Sequence, residues 1–239
     1  MKSVVASCLA LLVLVSLCPA QSHTPTYDEI KAEIQPLTDE QLIECLNLES
    51  KSCPLDYRDF GMIEAELGDR KHPDVILAAY EKADEDLSYE LVKVLYQIDD
   101  PRVLAFMQSI AFQDLGSGMD DSDTFFPLDY LADHCDERAL ARLNRHANFK
   151  RYYPMNCIYW SGTLRSFGKC NYRPAAPNLV RSLNAVCLNI TGEAEQALRK
   201  FFPGACLDQK SIEEEQRCYK KLLHHHQPKA EDRQPKAND

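Results

Sequence analysis

Between Pro73 and Gly204 a helix-pair pattern recurs, and few architectures other than stacked helices can accommodate it. Its clearest copy runs Tyr172-Arg-Pro-Ala-Ala-Pro-Asn-Leu-Val-Arg-Ser-Leu-Asn184, followed by Glu193-Ala-Glu-Gln-Ala-Leu-Arg-Lys-Phe-Phe-Pro-Gly204. A proline suits the first turn of a helix, where its missing N–H is not needed. Leu179, Val180 and Leu183 then share one face, as do Ala194, Ala197, Leu198, Phe201 and Phe202 in the second segment. Pro203-Gly204 stops the pair.

Similar openings occur at Pro73-Asp-Val-Ile-Leu-Ala-Ala-Tyr80, Pro101-Arg-Val-Leu-Ala-Phe-Met107 and Glu137-Arg-Ala-Leu-Ala-Arg-Leu143. Their starts, at 73, 101, 137 and 174, are irregular but fall within the range of helical repeats. Unrelated amphipathic helices are the competing reading, because helical patterns are permissive. With only 8 glycines and almost no alternation of apolar and polar residues, an all-β chain is disfavoured. The expected fold is all-α, a short α-solenoid of stacked antiparallel helix pairs.

The segment from Pro73 to Gly204 resembles the HEAT-like repeats of bacteria, including those of the phycobilisome-lyase type. The Arg173-Pro-Ala-Ala-Pro opening and the Ser182-Leu-Asn184 exit carry the resemblance, over a little more than half of the chain. It implies a protein-binding scaffold, and by analogy with the repeat lyases it leaves a lyase or thiol-dependent enzyme as an alternative. Fold alone does not decide between them.

Lys2, the apolar run Val4 to Leu17 and the small residues of Cys18-Pro-Ala20 read as a signal peptide over 1–20, cut before Gln21. The run is shorter than the roughly 20 residues of a membrane span. Lipidation at Cys18 is the other option, opposed by the bulk of Leu17. Residues 21–72 form an N-terminal helical cap, in which Thr26 caps one helix and Thr38-Asp-Glu-Gln41 is a capping box for the next. Asp59 caps a third, which Gly68 should close. The array occupies 73–204, with Gly168 expected to end the helix that Pro154 opens. A polar capping helix occupies 205–223, and 224–239, with its repeated Gln-Pro-Lys-Ala, is a disordered tail. The chain is therefore expected to be exported, to a periplasm or beyond the cell.

Eight cysteines remain after the leader, an even number that argues for disulfides in an oxidising compartment. Eight allow about 105 pairings. Cys45 and Cys53 bracket a short loop, and Cys206 with Cys218 could tie back the last helix. Cys135 and Cys170 end successive second helices, whereas Cys157 and Cys187 lie near the starts of such helices. Equivalent positions in stacked repeats are neighbours, which favours those two pairs. No Cys-x-x-Cys spacing suggests zinc.

The net charge of −10 conceals an asymmetry. Between Tyr27 and Asp136 there are 27 acidic and 8 basic residues, and between Glu137 and Cys206 there are 3 and 11. This is either two solvated faces of different sign or a device for steering a partner or for self-association. Nucleic acid is not expected as a ligand, because the surface as a whole repels phosphate.

Candidate chemistry is sparse. Asp120, Asp121 and Asp123 could hold calcium, but the loop lacks the glycine and closing glutamate of an EF-hand. His134-Cys135-Asp136 suggests a thiol nucleophile, although neighbouring helical residues point apart. His224-His-His226 could bind a transition metal or lie in solvent. Asn189-Ile-Thr191 matches a glycosylation acceptor. Arg151, Tyr152, Tyr153, Arg165 and Arg173 are the best candidates for a partner-facing surface, since arginine and tyrosine dominate binding hot spots. No phosphate loop, zincin motif or nucleophile elbow occurs. The expected function is non-enzymatic protein binding, with no cofactor and no resident metal. The alternatives are the thiol enzyme and a periplasmic metal-binding protein.

Overall fold

The computed structural model describes residues 25–55, 58–112, 122–147, 157–209 and 211–226, except the side chains of 122–124, 158, 159 and 226. Among these residues all regular structure is helical. The α-helices are α1 (Tyr27–Ile34), α2 (Asp39–Leu46), α3 (Phe60–Arg70), α4 (Pro73–Tyr80), α5 (Glu85–Tyr96) and α6 (Pro101–Ile110). They continue with α7 (Ser122–Asp133), α8 (Glu137–His146), α9 (Cys157–Lys169), α10 (Ala176–Ser182), α11 (Leu188–Phe201) and α12 (Ile212–His226). A 3-10 turn over Arg173–Ala175 leads into α10.

Local sequence explains most starts. Thr26 and Thr38 each form a capping box, with Glu29 and Gln41 returning the bond. The carboxylates of Asp59, Asp84, Asp100 and Asp136 accept from amides in the first turns of α3, α5, α6 and α8. Ends also repeat. Lys71, Cys135 and Asn171 adopt left-handed backbone, with φ of 56°, 60° and 51°, just after α3, α7 and α9. Beyond α7 and α9 the following amide reaches back to a helix carbonyl, Asp136 to Leu131 and Tyr172 to Phe167, both at 2.9 Å.

The odd-numbered helices touch in order along the chain. α1 packs on α3, α3 on α5, α5 on α7, α7 on α9 and α9 on α11. The even-numbered helices are joined by side chains as well. Arg102 of α6 donates to Asp74 of α4 at 2.5 Å. Arg138 of α8 lies over the ring of Phe112, just past α6, at 4.0 Å. Asn178 of α10 donates to the Asn144 carbonyl of α8 at 2.7 Å, and Gln216 of α12 to the Val180 carbonyl of α10 at 2.9 Å. The apolar faces expected for α10 and α11 are buried, including Leu179, Leu183, Ala197 and Phe201, and Leu91 and Val94 of α5 are buried as well.

Several expected boundaries move. α3 runs through Gly68 and α9 through Gly168. A Cβ on Gly68 would lie 2.9 Å from Oε1 of Gln97, and one on Gly168 3.1 Å from the Ala197 Cα. These glycines admit a neighbouring helix instead of stopping their own. α7, which the sequence pattern places from Phe125, begins at Ser122, so Pro127 lies inside the helix. α11 begins at Leu188, well before Glu193, because Ile190 has a buried place to fill. α12 extends through the histidines to His226, past the expected limit at Leu223.

Four disulfides cross-link the chain: Cys45–Cys53, Cys135–Cys170, Cys157–Cys187 and Cys206–Cys218, with Cα separations of 4.7, 5.3, 6.1 and 5.8 Å. These are the pairs expected from the cysteines' places along the helices. They fit an oxidising, exported setting. Among the described residues no helix is long and apolar enough to cross a membrane.

Candidate functional site

A cleft of about 590 Å³ opens where α5, α7 and α9 lie side by side. α5 and the turn after it supply Tyr96, Gln97 and Asp99. α7 and its C-terminal turn supply Asp129, Tyr130, Asp133, His134 and Cys135. α9 supplies Gly162, Arg165, Ser166 and Lys169, spaced so that all four share one face. The volume lies within the roughly 300–1,000 Å³ of small-molecule sites.

Asp129 forms the floor and is only 3% exposed. The Tyr96 hydroxyl donates to its Oδ2 at 2.7 Å and the Thr163 hydroxyl to its Oδ1 at 2.6 Å, so this carboxylate joins three helices. Burial pushes its pKa up to about 6, against the lowering effect of the two hydroxyls. Burial, reinforced by Asp129, likewise raises the Tyr96 hydroxyl well above its ordinary value.

The rim carries both signs of charge. Lys169 donates to Asp133 at 2.8 Å across the mouth, from α9 to α7. Arg165 donates through Nε and Nη2 to Glu193 of α11 at 2.9 and 2.7 Å. His134 donates from Nδ1 to the Tyr130 carbonyl at 2.8 Å, its ring stacks on Tyr130 at 4.4 Å, and its Nε2 lies 3.3 Å from Asp99. The Cys135–Cys170 bridge closes one end.

Asp129 supports a prediction of its own. Its native pKa lies above the usual carboxylate value, so between about pH 4 and 6 the folded chain holds a proton that the unfolded chain releases. Stability from this group is therefore greatest at low pH and falls as pH rises through 6. Asp129→Asn keeps a hydrogen-bonding group and removes the titration. Between pH 4.5 and 7.5 the variant should gain on the wild type by on the order of 2 kcal/mol. Urea denaturation of both proteins across that range measures it. Parallel curves would show that the carboxyl does not titrate there.

A partly buried charge cluster lies between α3 and α5. Lys93 donates to Glu64 at 2.5 Å and to Glu90 at 2.6 Å, and its ammonium sits over the Tyr89 ring. Burial first, then Glu90, raises Glu64 to about 7. Its groups satisfy one another as an internal brace.

The expected surface residues separate. Arg165 is 64% exposed at its side chain and lies on the rim, while Arg173 is exposed in the 3-10 turn before α10. Arg151, Tyr152 and Tyr153 lie outside the described residues, as do Asp120, Asp121 and the side chains of Asp123 and His226. Trp160 is buried at 3% exposure against Phe125. Asn189, the glycosylation acceptor, is exposed in the first turn of α11. Cys135 offers no thiolate while bridged. Tyr96, Asp129, Gly162 and Thr163 are not among the site residues expected from the sequence. One signal was present: Asp129 interrupts the apolar run Phe125-Phe-Pro-Leu128 and Tyr130-Leu-Ala132, where a carboxylate needs a reason. No protein-family model, curated protein or solved structure matches the chain.

Proposed function

We propose that the chain is an exported, disulfide-stapled α-solenoid of HEAT-like type that acts as a protein-binding scaffold and performs no chemical step itself. The chain-ordered packing of α1, α3, α5, α7, α9 and α11 carries this reading. The left-handed turns after α3, α7 and α9 and the links along the even-numbered helices support it. Stacked pairs shield their apolar faces on one another and leave an extended flank for a partner. Export rests on the leader-like first 20 residues and on the four bridges. Amino-terminal sequencing of the natural protein should begin at Gln21.

The partner meets a basic surface that includes Arg165 and Arg173, both of them exposed. Cross-linked capture from the exporting cells' envelope and medium tests this. The same partner should be recovered at low salt, lost at high salt, and lost with the double variant Arg165→Glu/Arg173→Glu, because rim charges govern encounter. A partner retained equally by the folded double variant would remove this face from the proposal. A dimer that forms only at low salt and dissociates in the variant would make the partner a second copy.

A further inference from the structure

The cleft floor holds a carboxylate to which, among the described residues, no cation is bonded. Among the described residues the hydrogen-bond partners of Asp129 are the hydroxyls of Tyr96 and Thr163. Two hydroxyls do not neutralise a buried charge, and such a charge is costly where nothing pairs with it. One side of Oδ2 faces Gly162, where a Cβ would come within 3.0 Å. The missing side chain keeps that approach open to the cleft.

Above the floor, Arg165 and Lys169 follow Gly162 on the same face of α9 and line the same space. Both are more than half exposed, and both are held by ion pairs, to Glu193 and Asp133. Exposed pairs of this kind are worth about 0–1 kcal/mol each, so an arriving carboxylate can replace or share them at little cost. Tyr96 and Tyr130 also line the space and give an aliphatic chain an apolar wall.

We propose that the α5–α7–α9 cleft binds a small dipolar solute, a primary amine and a carboxylate joined by a short aliphatic chain. The ammonium descends to Asp129, and the carboxylate stays at the rim with Arg165 and Lys169. ω-Amino acids, and lysine through its side-chain amine, have this chemistry. The site requires no protein partner, although its rim shares Arg165 with the proposed partner-facing surface.

Calorimetric titration of the full, disulfide-intact chain at about pH 8 tests it, because there the Asp129 carboxyl is ionised and an aliphatic amine is protonated. The probes are 6-aminohexanoate, lysine, hexylamine and hexanoate. The dipolar probes should bind about tenfold or more tightly than either singly charged one. Asp129→Asn should weaken 6-aminohexanoate and hexylamine by about tenfold and leave hexanoate unchanged. Arg165→Gln should weaken 6-aminohexanoate and hexanoate and leave hexylamine unchanged. Gly162→Ala, which fills the approach to Oδ2 with Asp129 in place, should weaken every amine. If Asp129→Asn does not fold, the other two variants carry the test. No saturable heat from any probe overturns the site, as does hexylamine binding as tightly as 6-aminohexanoate. Unaltered amine binding by Gly162→Ala and by folded Asp129→Asn would overturn it too.

Discussion

Reducing the four disulfides should unfold this protein under conditions where the oxidised chain is stable. The bridges close intervals of 8, 35, 30 and 12 residues. On the loop-entropy relation these correspond to roughly 2.5, 4, 3.5 and 3 kcal/mol. The 35- and 30-residue loops overlap, so the total is smaller than the four values taken together. It is still comparable with the whole stability of an ordinary domain, about 5–15 kcal/mol. Two of the bridges join odd-numbered helices that pack on one another. Cys135–Cys170 ties the end of α7 to the end of α9, and Cys157–Cys187 ties the start of α9 to the residue before α11. The cooperative melt seen by circular dichroism should disappear, or shift down by more than about 20 °C, when a phosphine reductant is added. Replacing only Cys135 and Cys170 by serine should lower the midpoint by about 10 °C. A reduced chain melting within a few degrees of the oxidised one would show that packing alone holds the fold.

What could be read from the residues follows the range of the interaction responsible. The caps at Thr26, Thr38, Asp59 and Asp136 depend on partners within three residues, and local sequence states them in full. The cysteine pairs were legible for a related reason: once helix ends are located, the bridging positions fall beside one another. Gly68 and Gly168 misled because glycine near an apolar run is the ordinary signature of a helix end. Their real neighbours, Gln97 and Ala197, are 29 residues further along, where no local pattern reveals them. The start of α11 was missed because Asn189-Ile-Thr-Gly192 has weak helix propensity, which the burial of Ile190 overrides. The cleft is the least legible feature. Tyr96, Asp129 and Thr163 meet only because α5, α7 and α9 lie at matching heights.

Phe167→Ala should be the most damaging single core substitution and should act unevenly along the chain. Phe167 is fully buried in α9, with its ring tilted against Tyr172 at 5.7 Å. Phe-to-Ala changes cost about 3–5 kcal/mol, depending on how far the surroundings can close over the lost ring. Closure is restricted here, because the next residue, Gly168, already brings α9 against the Ala197 backbone of α11. The two helices cannot draw closer, the cavity persists, and the cost should fall in the upper half of that range. Urea denaturation measures the loss, and Val186→Ala, at a side chain 74% exposed, should change little. If the helix pairs form a row in which each is steadied by its neighbours, the loss concentrates where α9 meets α11. Native-state hydrogen exchange should then show α9 to α12 losing protection while the amides of α3 and α5 keep theirs. Equal loss in every helix would mean that the chain unfolds as one globule, and the extended flank on which a scaffold depends would go with it.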